Sequence, residues 1–544
     1  MRDPRRDTRW WGWGNPNHDT SLPAGAEQLL AGFGIETEPA SEVPGLDSVA
    51  LPEPAAVPRA ILDAAGKGNV SESREDRIRH SGGQSLADLI ERRSGTIEHA
   101  PDAVVSLDSP ERIAPLLEAC SAESVAVVPF GGGTSVVGGV SPVRGEFAAV
   151  ISLDTCGLNG VEVDPVSMTA RLGAGLRGPE AESRLRESGF TIGHFPQSFE
   201  YATIGGFAAT RSAGQSSSGY GRFDSLVSAV SMVTPAGAIS TLRTPHTAIG
   251  PSIRELVIGS EGAFGVIPEV EVRLRPVPES KRYEAWFTDS FEAGNAIVRK
   301  LAQSDILPTI ARVSDSEETA VSLGMSGPSG AAGDAFRHYL KLRGKGDGCL
   351  VIVGLEGSAV EVRRKRPGLA KALRAGGAMS LGRQAGESWA QARFHGPYLR
   401  EALLDRGLVV DTLETAHQWS VHSELYQRVG AAIRGELDAL EAPGVVMCHL
   451  SHAYRDGASL YFTVIAAPGS EGRLESWHRI KAAASDAIQS TGGTISHHHA
   501  TGRDHRPYVE GEVGRLGVEA LRAVKSSFDP AGIMNPGCLI PPGT

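Results

Sequence analysis

The sequence predicts an α+β protein with more than one domain. Between residues 99 and 277, short apolar runs of strand length alternate with helical segments and glycine-rich turns. A second series of strands and helices spans residues 278–490. A chain of 544 residues exceeds the size that one hydrophobic core usually reaches. We therefore expect two domains, preceded by a segment of helix and coil (1–98) and followed by a C-terminal segment (491–544).

The composition narrows the class of protein. Hydrophobic residues make up 41% of the chain and charged residues 22%, which is typical of a soluble globular protein. The formal net charge of −11 argues against a nucleic-acid-binding protein that works through a positive field. Five cysteines without paired spacing predict a reducing compartment and neither a zinc centre nor a disulfide framework.

The sequence also indicates where in the cell the protein is located. No apolar run approaches the roughly 18 residues that a membrane-spanning helix needs. Neither terminus carries a recognisable targeting signal, and arginine outnumbers lysine, as in proteins from GC-rich bacteria. These features predict a bacterial cytoplasmic protein and leave peripheral membrane contact open.

The leading segment begins with a tryptophan cluster, Trp10, Trp11 and Trp13. Such a cluster more often anchors a segment onto a neighbouring domain than binds a ligand. Residues 24–33 and 85–93 have helical spacing, with proline-rich coil between them.

The first domain opens with a strand at 103–107 and a helix at 109–121, for which Ser109 is the expected N-cap and Pro110 the first helical residue. Further strands are predicted at 126–128, 148–153, 161–163 and 169–172, and a helix at 179–188.

A glycine-rich loop follows the second strand. Gly131, Gly132 and Gly133 are succeeded at once by the hydroxyls of Thr134 and Ser135. Three consecutive glycines cost conformational entropy, and bare backbone at such a point usually lets N–H groups approach an anion. A flexible turn is the alternative interpretation. The pattern does not continue as G-x-G-x-x-G into a helix, so it differs from a dinucleotide-binding βαβ unit.

Two more blocks rich in small residues follow, at 195–214 and 259–267. Small side chains let the backbone pass close to a large flat ligand and offer neutral hydrogen bonds. Three such blocks in one domain favour a shared ligand over three unrelated turns.

The three blocks resemble the flavin-binding loops of the vanillyl-alcohol-oxidase (VAO/PCMH) type FAD domain, which is built from two subdomains and is covered by a cap domain. The resemblance implies that the first loop holds the FAD pyrophosphate and that the later blocks contact the rest of the cofactor. No histidine or cysteine lies near Phe130, so non-covalent FAD is expected. The implied cofactor-binding residues are Pro129, Phe130, Gly131, Gly132, Gly133, Thr134, Ser135, Gln197, Ser198, Thr203, Gly205, Gly206, Thr210, Arg211, Ser212, Ala213, Glu261, Gly262, Gly265, Val266, Ile267 and Asn535.

The second domain takes the place of the cap domain in that family. Strands are predicted at 282–288 and 349–355, and a strand pair at 444–451 and 459–466 surrounds a turn at 454–457. Helices are predicted at 291–303 and 359–375, and we expect Pro367 to break the second of these.

The C-terminal segment contains His497, His498 and His499 in succession. On a strand, neighbouring side chains point to opposite faces, so the three rings would not share one ion. We therefore expect no metal. A helix at 511–528 and a flavin-contacting signature that includes Asn535 follow.

The full set of motifs is most similar to the alkyldihydroxyacetonephosphate synthase family, through residues 11–14, 397–400, 459–462 and 496–499. The resemblance implies that Arg400 binds the substrate phosphate, that Tyr461 is the catalytic tyrosine, and that the histidine triplet is needed for activity. It implies a redox-neutral exchange, on a flavin enzyme, of the acyl group of acyl-dihydroxyacetone phosphate for a fatty alcohol. A lipid phosphate substrate and a homodimer are the expected partners.

Two other functions are considered. Residues 415–419 and 500–504 depart from the synthase pattern, so the same scaffold could oxidise a 2-hydroxy acid such as D-lactate or D-2-hydroxyglutarate. The protein could also hold FAD without turnover. Arg400, Tyr461 and the histidine triplet argue against that second alternative, because flavin binding alone needs none of them.

Overall fold

The computed structural model describes residues 8–17, 21–326, 338, 340 and 347–543. Residues 1–7, on which part of the expectation about an N-terminal signal rests, lie outside this set. Within the described residues, every helix is too short or too polar to cross a bilayer.

The first subdomain is a small sheet in the strand order β1-β2-β4-β3. Strands β2, β4 and β3 are parallel, and β1 runs antiparallel to β2. Its strands are β1 (Val70–Ser71), β2 (Ala103–Ser106), β3 (Val125–Phe130) and β4 (Ala149–Asp154), and the helices of this part of the chain are α1 (Ala26–Ala31), α2 (Arg59–Ala65), α3 (Arg74–Arg79), α4 (Leu86–Ser94) and α5 (Ile113–Ala122).

Ser109 occupies the N-cap position, with Pro110 first as expected, but the expected cap by its hydroxyl does not form. The segment starts with a 3₁₀ turn, Pro110–Arg112, and α5 begins only at Ile113. The Ser109 hydroxyl donates to the Glu111 carboxylate, which diverts it from capping the helix.

The second subdomain is an antiparallel sheet in the order β5-β6-β10-β8-β9. Its elements, together with the two-stranded pair β7-β11, are β5 (Val161–Asp164), β6 (Thr169–Gly173), β7 (Phe190–Thr191), β8 (Val227–Thr234), β9 (Gly237–Ser240), β10 (Glu269–Arg273), β11 (Arg275–Pro276), α6 (Gly178–Glu187), α7 (Ile204–Ala209), α8 (Ser217–Tyr220), α9 (Phe223–Leu226) and α10 (Ile253–Val257).

The cap domain is an antiparallel sheet in the order β15-β12-β14-β13-β17-β18-β16. Its strands are β12 (Ser280–Thr288), β13 (Ile310–Ser314), β14 (Cys349–Gly357), β15 (Met379–Gly382), β16 (Val409–Gln418), β17 (Gly444–Ala453) and β18 (Gly457–Ala466). The helices that follow β11 are α11 (Phe291–Gln303), α12 (Ser316–Ser326), α13 (Ala359–Ala375), α14 (Arg383–Ala392), α15 (Gly396–Leu404), α16 (His422–Ala439), α17 (Arg473–Thr491) and the C-terminal α18 (Val509–Phe528).

One face of the cap sheet is covered by helices. Leu460 and Phe462 of β18 are buried in the apolar core that forms there. Because side chains alternate along a strand, Tyr461 between them points to the opposite face. The sheet therefore holds this tyrosine on the side away from the helical layer.

The expected break at Pro367 is wrong, because α13 runs through it without interruption. A capping box of Ser358 and Glu361 starts the helix. Leu369 and Leu373, which follow the proline, are buried in the cap core, and this packing offsets the hydrogen bond that proline cannot donate.

The C-terminal segment returns to the first subdomain. The Val127 N–H donates to Ile533 O (2.8 Å) and the Asn535 N–H donates to Val127 O (2.8 Å), so the chain end runs parallel to β3. The glycine loop leaves the end of that same strand.

Candidate active site

The glycine loop lines a cavity of about 50 Å³. Gly132, Gly133 and Thr134 form one wall, and Arg177 and Tyr201 line another. Gly133 has a φ of 64°, in the left-handed region that favours glycine. The backbone of the loop thus lies beside the Arg177 guanidinium, and these groups together suit an anion.

The loop lies against the second glycine-rich block at distances that exclude side chains. A Cβ on Gly132 would lie 2.0 Å from Tyr201 O, and one on Gly131 would lie 2.4 Å from Thr203 Oγ1. Thr203 in turn caps α7 by accepting the Gly206 N–H. The first two predicted flavin loops are therefore in direct contact, and glycine is required at this point by close approach.

Buried polar atoms in the FAD-binding part of the chain fit a polar cofactor. Arg177 Nε and Nη2, Gln197 Nε2 and Gln215 Oε1 are buried without a hydrogen-bond partner in the described structure. Gln215 donates to Gln197 Oε1 (3.1 Å), so the two amides are neighbours. Such groups are costly to bury unpaired. Arg177 lines the cavity beside the glycine loop, and Gln215 also donates to Arg393 O of the cap domain (3.0 Å). A guanidinium suits the phosphates of FAD and the amides suit its polar ring edges, so the residues present fit this cofactor.

The third predicted block joins the C-terminal segment. Glu261 accepts the N–H groups of Thr501 (2.8 Å) and Gly502 (2.7 Å). Asn535 Nδ2 donates to Glu261 O (2.7 Å) and to Gly139 O (2.9 Å). Burial raises the pKa of Glu261 to about 7. Glu261 and Asn535 thus tie three stretches of chain together beside the glycine loop.

Two predicted cofactor residues have protein partners. Arg211 donates to the carboxylate of Glu255 (2.9 Å) and to its carbonyl (2.8 Å). The Ser212 hydroxyl lies 3.0 Å from His194 Nε2. The Arg211 guanidinium is therefore engaged in holding α10, and Ser212 belongs to a buried polar pair.

Tyr461 sits in the middle of a row of polar residues across the cap sheet. It pairs with Glu414 on β16 and with His449 on β17. The ring of His449 stacks on the ring of Tyr461 at a centroid distance of 4.8 Å. His449 is held by Arg312, which donates to its Nε2 (3.1 Å), so its Nδ1 donates to Glu318 (2.9 Å).

Two histidines of the triplet lie beside the same tyrosine. The rings of His498 and His499 lie 6.0 Å and 5.4 Å from the Tyr461 ring. Burial lowers the pKa of His497 and of His499 to about 3, so these imidazoles are neutral at neutral pH. Burial raises the pKa of Tyr461 to about 12, so its phenol is protonated. The structure brings together a hydroxyl donor and neutral imidazoles.

Glu414 holds the triplet in place. Its carboxylate accepts the backbone N–H groups of His497, His498 and His499, each at 2.7 Å, and the Ser496 hydroxyl at 2.8 Å. Burial opposes ionisation, but the charge interaction and hydrogen bond with His498 keep the pKa of Glu414 well below its usual value. The triplet lies in an irregular loop. The expectation of a strand there is wrong, because one buried carboxylate gathers three successive N–H groups.

The expectation of no metal rested on that strand geometry. Ring nitrogens of His497, His498 and His452 lie within 4.8 Å of one another, close enough for a shared ion. Both nitrogens of His497 already have partners, Tyr454 Oη at 2.8 Å and His498 Nδ1 at 3.0 Å. Strand geometry therefore does not keep these rings apart, and the absence of a metal stays a prediction.

Arg400 connects the cap domain to the glycine loop. Its guanidinium donates to Gln84 O (3.0 Å) and Gln84 Oε1 (3.1 Å), and the Gln84 N–H donates to Ser135 O (2.6 Å). Arg400 also acts electrostatically on the Tyr461 phenol, against the effect of burial on its pKa. Its Nε is buried without a partner in the described structure. The predicted phosphate-binding arginine thus lies between the flavin loop and the predicted catalytic tyrosine.

Sequence reasoning missed Glu414, His449, His452, Tyr454 and Gln84. A signal for two of them was present, since His449 and His452 lie on the strand that precedes the predicted turn. Glu414 could not be found in this way. Its role depends on pairing between β16 and β18, which a single sequence does not show.

Comparison with known proteins identifies the family. Residues 101–243 match the family described as "FAD binding domain", and residues 277–539 match "FAD linked oxidases, C-terminal domain". Alkyldihydroxyacetonephosphate synthase from Dictyostelium discoideum is 32% identical over 86% of this chain and 77% of its own length. The enzyme of that name from Caenorhabditis elegans is 31% identical over 88% of this chain and 83% of its own.

Comparison with solved structures gives the same family. A structure of an alkyldihydroxyacetonephosphate synthase superimposes with a TM-score of 0.83 and 27% identity, and covers 98% of this chain and 99% of its own. p-Cresol methylhydroxylase shares the fold at a TM-score of 0.66 and 15% identity, covering 89% of this chain and 96% of its own. The expected VAO-type fold with a cap domain is thereby confirmed, and so is the FAD cofactor class. The chain is an FAD-linked enzyme that belongs to the alkyldihydroxyacetonephosphate synthase family.

Proposed function

We propose that this protein exchanges the acyl group of acyl-dihydroxyacetone phosphate for a fatty alcohol, which is the ether-forming step of ether lipid synthesis. The observation that carries this proposal is the position of Arg400, between the glycine loop and Tyr461. A guanidinium binds the carboxylate of a 2-hydroxy acid as well as a phosphate, so the substrate assay below distinguishes the two functions.

The proposed chemistry assigns a task to each group. Arg400 would bind the substrate phosphate through its planar fork, as arginine does with phosphates generally. The protonated Tyr461 would donate a hydrogen bond to a substrate oxygen. A neutral imidazole of the triplet would accept the proton removed from the carbon next to the ketone. When bound, FAD would supply an electron-accepting ring to the reaction, with no net reduction.

The lipid substrates would be reached at a membrane surface, and one loop supports such contact. Leu242 and Ile249, between β9 and α10, are 76% and 83% exposed, and they share this loop with Arg243. Exposed aliphatic side chains beside a basic residue suit the interface of an anionic bilayer. Flotation with anionic vesicles checks this, and Leu242→Ser with Ile249→Ser is expected to weaken binding without changing FAD content.

One experiment separates the candidate functions. The purified protein, loaded with FAD, is given acyl-dihydroxyacetone phosphate and hexadecanol, and ether product and released fatty acid are measured by mass spectrometry. We expect both to form in equal amounts while the flavin stays oxidised. Parallel anaerobic samples receive D-lactate or D-2-hydroxyglutarate. Bleaching of the flavin by either acid, with no ether product, would contradict the proposal.

A further inference from the structure

A chain of hydrogen bonds leads from the histidine triplet towards the surface of the cap domain. His498 Nδ1 lies 3.0 Å from His497 Nδ1, and His497 Nε2 lies 2.8 Å from Tyr454 Oη. Tyr454 follows β17 and is partly exposed to solvent, whereas His497 is buried. His497 therefore connects the ring of His498 to the hydroxyl of a partly exposed tyrosine.

The charges around this chain determine where its protons lie. Glu414 Oε2 is 3.2 Å from His498 Nδ1, and the ionised carboxylate favours a proton on that nitrogen. His498 Nδ1 then donates to His497 Nδ1, and His497 Nε2 donates to Tyr454 Oη. Arg222, which pairs with Asp224 at 3.3 Å, acts electrostatically on the Tyr454 phenol. Because its oxygen accepts from His497 Nε2, the Tyr454 O–H can donate to solvent.

We propose that Tyr454 is the exit residue of a proton relay that runs from His498 through His497 to solvent. With its proton on Nδ1, the neutral ring of His498 has Nε2 available to accept a proton from the substrate. A proton that arrives there releases the Nδ1 proton to His497, which passes its own Nε2 proton to Tyr454, and Tyr454 passes one to water. In this arrangement of protons, each hydrogen bond has its donor on the side of His498 and its acceptor on the side of solvent.

The proposed reaction requires such a path, so the relay rests on the proposed function. The ester C–O bond breaks and the fatty acid leaves as a carboxylate. An ether C–O bond forms to the alcohol, whose O–H bond breaks, and no electrons are gained or lost overall. One proton per turnover must therefore reach solvent. Burial lowers the pKa of His497 to about 3, so this imidazole does not hold an extra proton. In the relay it accepts a proton on Nδ1 while it releases one from Nε2.

The first test replaces the hydroxyl. In the full-length, FAD-loaded protein, Tyr454→Phe is expected to lower kcat by about 100-fold, at the lower end of the contribution of proton transfer. KM and flavin content are expected to stay unchanged. The matched control is Tyr426→Phe, which removes a tyrosine hydroxyl bonded to Asp315 (3.2 Å) elsewhere in the cap domain. An unchanged kcat in Tyr454→Phe would overturn the relay.

The second test distinguishes a relay from a merely structural contact. In Tyr454→Ala, imidazole from the buffer can reach His497 Nε2, so kcat at fixed pH is expected to rise with imidazole concentration. Wild type and Tyr426→Phe are expected to show no such rise. Loss of activity that no imidazole concentration restores would mean that Tyr454 only supports the loop.

A measurement on the wild type needs no variant. In mixtures of H₂O and D₂O, movement of several protons together is expected to give a curved dependence of kcat on deuterium content. A linear dependence would overturn the relay while leaving ether formation intact. A wild-type protein that forms no ether at all would overturn the proposed function, and the relay with it.

Discussion

Glu414 and Tyr461 occupy directly opposed positions on the neighbouring strands β16 and β18. The strand pairing places the carboxylate that gathers the histidine loop next to the strand that presents the phenol. The relative position of the imidazoles and the hydroxyl is therefore set by the register of one strand pair.

Glu414→Gln tests this arrangement. An amide can accept fewer of the four hydrogen bonds than the carboxylate does, so we expect a loss of about 1–3 kcal/mol in the free energy of unfolding. Displaced imidazoles are expected to lower kcat by about 100-fold. Urea unfolding and synthase assays measure the two effects. Glu424→Gln, at an exposed position in α16, is the control and is expected to change neither.

Tyr461→Phe keeps the ring and its stacking on His449 but removes the hydroxyl. We expect kcat to fall by about 100-fold or more, because proton transfer and oxygen binding lose their donor. Bound flavin, measured by absorbance, is expected to stay at the wild-type ratio. Full activity in this variant would remove Tyr461 from the proposed chemistry.

Arg400→Lys retains the charge but removes the planar fork. We expect KM for the phosphate substrate to rise by about 10- to 100-fold, the cost of a lost charged hydrogen bond. Arg406→Lys is the control, because Arg406 bonds to the Ala402 carbonyl nearby. An equal rise in both variants would show a general effect on α15 and not phosphate binding.

Gly132→Ala tests the close approach beneath the glycine loop. The added Cβ would lie 2.0 Å from Tyr201 O, so backbone must shift. We expect bound FAD to fall and stability to decrease by about 1–3 kcal/mol. Gly435→Ala is the control, because its Cβ meets no atom within 4 Å on an exposed turn of α16. That change is expected to stabilise the protein by about 0.5–1 kcal/mol.

Glu318 predicts a pH dependence of stability. Burial opposes its ionisation, but the ion pair with Arg312 (2.9 Å) and the bond from His449 lower its pKa to about 2. The pKa of this carboxyl group is near 4.5 in the unfolded chain, so its lowered pKa in the folded protein stabilises the fold at pH values above 4.5. This stabilisation is on the order of 3 kcal/mol and is lost as the pH falls towards 2. Chemical unfolding of wild type and Glu318→Gln between pH 7 and about pH 2 measures it.

Glu318→Gln is expected to be less stable than wild type at pH 7 and to converge with it in acid. Glu317→Gln, at the adjacent and more exposed carboxylate, is the control and is expected to follow wild type throughout. A constant difference between Glu318→Gln and wild type across this range would contradict the assigned pKa.

Local chemistry explains which features could be predicted. Glycine loops, alternating apolar runs and the turn between β17 and β18 leave patterns within a few residues, so the fold class and the hairpin were accessible. The cofactor was implied by the family resemblance of the glycine-rich blocks. The break at Pro367 and the cap at Ser109 failed for one reason. Each expectation rested on a local preference that another group overrides. Packing against the cap core keeps the helix intact at Pro367, and Glu111 binds the Ser109 hydroxyl.

The sequence by itself determined the α+β class and the three glycine-rich blocks, and its resemblance to a flavoenzyme family implied FAD and the candidates Arg400, Tyr461 and the histidine triplet. Only the tertiary structure decided how these residues meet. Gln84 links Arg400 to the glycine loop, Glu414 binds the backbone of the triplet beside Tyr461, and Tyr454 bonds to His497. These contacts join residues that are distant in the chain, and strand register and burial, which no local pattern encodes, bring them within hydrogen-bond distance.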